Sequence, residues 1–287
     1  MVDVTAIDPT IHDELSRAAR RAETHAGVHI RLARSNDEIR RVSELLATVW
    51  GTSLAASPGP RNVLTAIADT DGYVAGAWAG GTLVGGSFGV TYLDGAEPCL
   101  RSQVTGVLQP GRGVGEALKR HQQQWACERG MHRITWTFDP LVRRNARFNL
   151  DRLGAQIVRF VPDFYGSLDD GVNGTDETDR CVVSWPVTAP QVPPTECASG
   201  ELLRNGHGAL LVPAADGTPV VSELAAPAAL VATPADIVTL RHNNRALAIE
   251  WRQAVRTAFS RAFDAGLVAD LVTSDGYYRF RHREGTT

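Results

Sequence analysis

Residues 104–130 read VTGVLQPGRGVGEALKRHQQQWACERG. A β-branched run leads into three glycines, Gly111, Gly113 and Gly115, and these open a helical pattern. Val114, Leu118, His121 and Trp125 fall on one stripe of that helix, and Gly130 closes it. A helix N-terminus carries unsatisfied N–H groups and the positive end of the helix dipole. Glycines placed just before it let the backbone approach an anion closely. Strand, glycine loop and amphipathic helix together predict a pyrophosphate site. The alternative is that the glycines only make a tight turn.

Working outward, two apolar runs precede this stretch, YVAGAWAGG and TLVGGSFGVTYL, joined at Gly80-Gly81 as a β-hairpin. LRSQVTGVL continues them as a third strand. Upstream, VHIRLAR alternates like a strand. SNDEIRRVSELLATVWG reads as a helix with Ser35 as N-cap and Ile39, Val42, Leu45, Leu46 and Val49 on one face. VLTAIADTDG reads as a second, shorter helix, and Ile11 to about His25 as an N-terminal one closed by Gly27. Downstream, HRITWTF alternates cleanly, DPLVRRNARFNLDRLGA is a short helix, and QIVRFVPDFYG and DRCVVSWPV are two more strands. TAPQVPPTECAS, at 188–199, reads as a linker. Beyond it come strands near 208–213 and 228–232, a helix over about 235–265 and a terminal hairpin. The expected organisation is an N-terminal helical extension at 1–27, a main domain at 28–187, the linker, and a small α+β unit at 200–287.

The 287 residues are 43% hydrophobic and 21% charged, with a formal net charge of −3. That is the composition of a globular chain able to bury a core without staples. It points away from nucleic-acid and membrane-surface partners. Lys119 is the only lysine, and the remaining basic side chains are scattered arginines. Cys99, Cys127, Cys181 and Cys197 have neither metal-ligand spacing nor the look of a secreted disulfide framework. With no signal peptide at the N-terminus and no apolar stretch long enough to span a bilayer, the expectation is a cytoplasmic protein without a resident metal.

Two phosphate-bearing ligands compete for the loop. A dinucleotide on a Rossmann unit needs Gly-x-Gly-x-x-Gly and an acidic residue at the next strand end. Asp139 occupies such a strand end, but Gly111-x-Gly113-x-Gly115 misses the third position and three strands precede the loop. The second ligand is coenzyme A. The element order resembles the GNAT acyltransferase superfamily, and GVLQPGRGVGEALKRH resembles its acyl-CoA-binding segment. Further along, WTFDPL, NARFN and DFYG are similar to motifs of a bacterial subfamily of predicted GNAT acetyltransferases. The likeness covers roughly 28–187, and ALAIEWRQAVRTAFSRAFDAG and YYRF resemble that subfamily's C-terminal extension.

The resemblance implies an α/β (α+β) GNAT fold, a central mixed, mostly antiparallel sheet flanked by helices, followed by the small α+β unit. It implies acyl-CoA, acetyl or succinyl, as co-substrate and a small-molecule amine, such as an amino acid, as acceptor. A homodimer is compatible with it. The N–H groups of Arg112, Gly113, Val114, Gly115 and Glu116, after Gly111, would face the pyrophosphate. Val107 would contact the pantetheine through its backbone and Asn145 through its amide, with a helix-start role as the alternative for Asn145. The tyrosine that protonates the departing thiolate in many GNAT enzymes is replaced here by Leu150. Tyr165 is the candidate replacement, with packing at a strand end as its alternative. Asp139 is the candidate base, with a turn-initiating Asp-Pro as its alternative, and Asp163 is a second candidate. Trp136 and Phe138 either wall an acceptor pocket or belong to the core, and His121 reads as packed. The competing function is a catalytically silent CoA-binding or sensing module.

Overall fold

The computed structural model describes residues 9–166, 177–189 and 197–282. Most of the expected linker, 190–196, therefore lies outside the described residues. The chain forms two compact units. Of the described residues, the first holds 9–136 and 186–189, and the second holds 137–166, 177–185 and 197–282. The division falls inside one strand, between Trp136 and Thr137, well before the proline-rich stretch.

The first unit contains α1 (Pro9–Ala26), β1 (His29–Leu32), α2 (Asn36–Trp50), α3 (Arg61–Asp69), β2 (Tyr73–Ala79), β3 (Thr82–Asp94), β4 (Glu97–Val107), α4 (Val114–Cys127) and most of β5 (Arg133–Phe138). Its strands lie in the order β1-β2-β3-β4-β5. The first four are antiparallel and β4–β5 is parallel. This is the mixed, mostly antiparallel sheet of the GNAT-type order expected above. Ser35 starts α2 with a capping box to Glu38, and Gly51 ends it in the left-handed conformation.

Helices cover both faces of this sheet. A Cβ built on Gly85 would meet Val114 and Leu118 of α4, whereas one on Gly86 would meet Val42 of α2. Successive strand residues face opposite sides, so α4 and α2 lie on opposite faces, and the two glycines let both come close. Leu15, Ala18 and Ala19 of α1 are buried at helical spacing, and α1 packs along α4. α4 buries Lys119, Arg120, Gln122 and Gln123 as well as its apolar stripe: Lys119 reaches Ser102 of β4, and Gln123 donates to the Val187 carbonyl.

Two irregularities shape β4. Phe88 pairs with Val104 and Gly89 with Ser102, which leaves Gln103 bulged. On the other side, the β4–β5 ladder is Cys99↔Arg133, Leu100↔Ile134 and Arg101↔Thr135. Past those residues the two strands part, β4 running to Val107 and β5 to Phe138.

The second unit contains α5 (Arg143–Arg147), a π-helical turn (Phe148–Arg152), β6 (Gln156–Val161) and β7 (Arg180–Pro186). It continues with α6 (Ser199–Arg204), β8 (Gly208–Pro213), β9 (Pro219–Val221), β10 (Ala228–Ala232), α7 (Ile237–Asn243), α8 (Arg245–Asp264), β11 (Leu267–Val272) and β12 (Tyr277–His282). β6 and β7 pair antiparallel, and the other strands form a sheet ordered β11-β12-β10-β8-β9. Phe259 of α8 is wholly buried, with Phe160, Tyr278 and Phe280 edge-on or tilted around it at 4.9–5.2 Å. The helix expected over 235–265 is two helices. Asn244 leaves helical conformation and accepts the Leu247 N–H at 3.1 Å, capping α8.

Candidate active site

The glycine loop is built for close approach. Gly111 and Gly113 have φ of +89° and +79°, which L side chains rarely adopt. Gly113 is the N-cap of α4, and no side chain caps that end. The first intrahelical bond runs from the Ala117 N–H to the Gly113 carbonyl at 3.0 Å, so Val114, Gly115 and Glu116 present the first-turn N–H groups. A Cβ on Gly111 or Gly115 would meet nothing within 4 Å, whereas one on Gly113 would lie 3.1 Å from the His25 ring of α1. Arg112 is exposed on the loop, and Val107 ends β4, paired with Gly85.

Where β4 and β5 part, two buried polar side chains, Ser102 and Lys119, lie beside the buried Trp136. Lys119 of α4 is 4% exposed. Its Nζ donates to Ser102 Oγ at 2.7 Å and to Gln122 Oε1 at 3.4 Å, and lies 3.9 Å from the centre of the Trp136 ring. Burial, reinforced by the charge of Arg101, brings the amine down to about 7. Helical periodicity gives Lys119 no role, because the apolar stripe of α4 runs through the neighbouring Leu118. The available signal was a sole lysine in an arginine-rich chain. His121 is packed, as expected. Its Nδ1 lies 3.1 Å from the Tyr73 hydroxyl, and burial lowers its pKa to about 4.

Asp139, Asn145 and Tyr165 belong to the second unit. The expectation that Asp139 acts as base is corrected here. Arg252 grips both of its oxygens, at 2.8 and 2.7 Å, Arg241 adds a bond at 2.9 Å, and Oδ1 also accepts the Leu141 N–H at 2.9 Å. Burial alone would raise its pKa, but the guanidinium groups of Arg252 and Arg241 outweigh it and hold the carboxyl at about 2. A carboxylate so occupied anchors α7 and α8 to the end of β5; it does not collect protons. Asp163 is committed as well, since Oδ1 accepts the Thr178 N–H at 3.1 Å.

Tyr165 is 40% exposed, and its hydroxyl lies 3.0 Å from Thr137 Oγ1. Phe164 packs edge-on against the ring and the Arg180 guanidinium lies 5.5 Å from its centre. The hydroxyl is thus oriented and open to solvent. Asn145 is half-buried in α5. Leu150 is buried in the π-helical turn, 5% exposed, with no polar group to give.

Residues 12–140 match the family model described as an acetyltransferase (GNAT) domain. Over that stretch, just under half of its length, the chain is similar to GNAT acetyltransferases. That match takes in the glycine loop, the parting of β4 and β5, and most of α1, and it ends one residue after Asp139. Similar solved structures include the aminoglycoside 6'-N-acetyltransferase of Enterococcus faecium, at 15% identity and a TM-score of 0.42 over 57% of this chain and 98% of that one. The Salmonella typhimurium protein yncA, solved with its cofactor acetyl-CoA, gives 16% and 0.46 over 59% and 99%. The ribosomal-protein-S18-alanine N-acetyltransferase of Escherichia coli gives 12% and 0.42 over 57% and 96%. No curated protein matches the chain significantly. Among the described residues, no helix is long and apolar enough to cross a membrane.

Proposed function

We propose that this protein is a CoA-dependent N-acyltransferase, moving an acetyl or succinyl group from acyl-CoA to the amine of a small molecule such as an amino acid. The observation that carries the reading is one continuous run of β4. It bulges at Gln103, leaves its neighbour β5 after Arg101, and ends in a glycine loop that opens an uncapped helix N-terminus. Parted strands expose backbone donors to a thioester carbonyl, and the helix end receives a pyrophosphate. Gly111, Arg112, Gly113, Val114, Gly115 and Glu116 hold the pyrophosphate in this reading, Val107 and Asn145 hold the pantetheine arm, and the Tyr165 hydroxyl protonates the departing thiolate.

A thermal-shift screen with CoA, acetyl-CoA, succinyl-CoA and NAD tests it. A ligand at ~100 times its dissociation constant stabilises by ~2.7 kcal/mol. Stabilisation by CoA species alone is the expected result, and the better acyl derivative names the donor. A response to NAD alone, or to none of the four, removes the reading. Tyr165→Phe is expected to lower kcat by ~10²-fold, the usual reach of a lost general acid, with the KM for acetyl-CoA unchanged. Unchanged kcat would return Tyr165 to a packing role. Tight CoA binding without turnover would favour the silent CoA-binding module, which the apolar Leu150 supports.

A further inference from the structure

An acyl transfer to an amine releases a proton, and the carboxylate that stood nearest to that task is locked between arginines. The first unit holds another candidate. Ser102 is the first residue of β4 beyond its last pairing with β5, and Trp136 is the first residue of β5 beyond the same pair. Lys119 reaches both, its Nζ hydrogen-bonded to Ser102 Oγ and seated over the Trp136 ring. The amine therefore sits at the apex where the strands part.

We propose that Lys119 is the proton acceptor of the transfer, drawing the proton through the hydroxyl of Ser102. This rests on the acyltransferase reading above. As the acceptor nitrogen bonds to the thioester carbon, its N–H proton passes to Ser102 Oγ, and the Ser102 hydroxyl proton passes to the neutral Lys119 Nζ. The carbon–sulfur bond breaks, the electron pair leaves with sulfur as thiolate, and the lysine, now ammonium, hands its proton back through the Ser102 hydroxyl to water once the product has left. Serine ends as it began.

Three features of the surroundings fit this role. Among the described residues, the groups facing the amine are Gln122 from α4, Ser102 and Arg101 from β4, and Trp136 from β5, and no carboxylate among them holds the ammonium. Burial without a counter-ion keeps a large neutral fraction at neutral pH, and a base whose pKa matches the working pH is the effective one. Gln122, fully buried, has an Nε2 with no hydrogen-bond partner, so the polar wall beside the amine has donor capacity unspent.

The single lysine makes the test direct. In protein labelled at lysine side chains, one NMR signal reports Lys119 alone. It is expected to titrate near pH 7, the value its burial sets. Thiol release from acetyl-CoA, screened against a panel of amino acids, is expected to give a kcat that rises with pH through the same midpoint. Lys119→Met should lower kcat at least tenfold, erase that limb, and leave the KM for acetyl-CoA within threefold. Ser102→Ala should lower kcat similarly while the lysine signal still titrates, which decides the matter if the methionine variant does not fold. A signal that titrates only above pH 9, or a limb that persists in either variant, overturns the proposal. CoA binding in the thermal-shift assay without thiol release overturns it too and leaves the CoA site standing. Absence of CoA binding overturns both readings.

Discussion

Gly113→Val is expected to weaken CoA binding at least tenfold while the far-UV circular dichroism stays that of the wild type. Gly113 holds φ at +79° at the very start of α4. A β-branched residue there pays ~1–3 kcal/mol of backbone strain, and relief means turning the loop out of the left-handed region. Its Cβ would also lie 3.1 Å from the His25 ring, so α1 resists a simple accommodation. Either movement re-aims the N–H groups of Val114, Gly115 and Glu116. Gly115→Ala is the control for the fold. That position lies inside α4, has an ordinary helical φ, and leaves open space around a Cβ. Its stability should hold or rise by ~0.5–1 kcal/mol. Calorimetric titration with CoA that gave Gly113→Val the wild-type affinity would mean the loop is a turn and nothing more.

The largest stability effect is expected at Asp139. Asp139→Asn leaves Arg252, 3% exposed, without the carboxylate that takes both its terminal nitrogens. Breaking a buried pair from one side costs ~3–5 kcal/mol, because the remaining charge stays buried. Urea unfolding should show that loss. A cost below ~1 kcal/mol would mean that the guanidinium escapes to water and that the cluster does not anchor α8. The same group makes the fold acid-sensitive. Its folded pKa, about 2, lies below the ordinary 3.8, so its contribution is present above pH ~4 and lost as pH falls through about 2. The difference amounts to ~2 kcal/mol. Wild-type stability should therefore drop between pH 4 and 2, and the drop should be smaller in Asp139→Asn.

The sequence carried what is periodic or local. α2 announced itself by its cap and its apolar face, the β2–β3 hairpin by its glycine pair, and the start of α4 by the loop, because each is specified by neighbours within a few residues. α6, of six residues, offers no period, and β9 begins with a proline, so neither was legible. The break at Asn244 was written in a capping residue, but the apolar pattern ran past it. The site divides the same way. The loop is a contiguous motif, and its glycines do open α4. The fate of Asp139 depends on Arg241 and Arg252, 102 and 113 residues away, and no spacing rule connects them. The bulge at Gln103 and the pairing of Lys119 with Ser102 arise from strand register and helix docking, which are settled only in three dimensions.

The burial of the one lysine also bears on chemical self-damage. A thioester acylates neutral amines, and a protein that handles acyl-CoA keeps that reagent close to its own surface. Guanidinium groups stay protonated and do not react with it. Here every basic residue other than Lys119 and the histidines is arginine, and Lys119 is enclosed between α4, β4 and β5. The exterior of this chain thus offers its donor no lysine to modify, and amine-directed labels and crosslinkers will find it a poor target for the same reason.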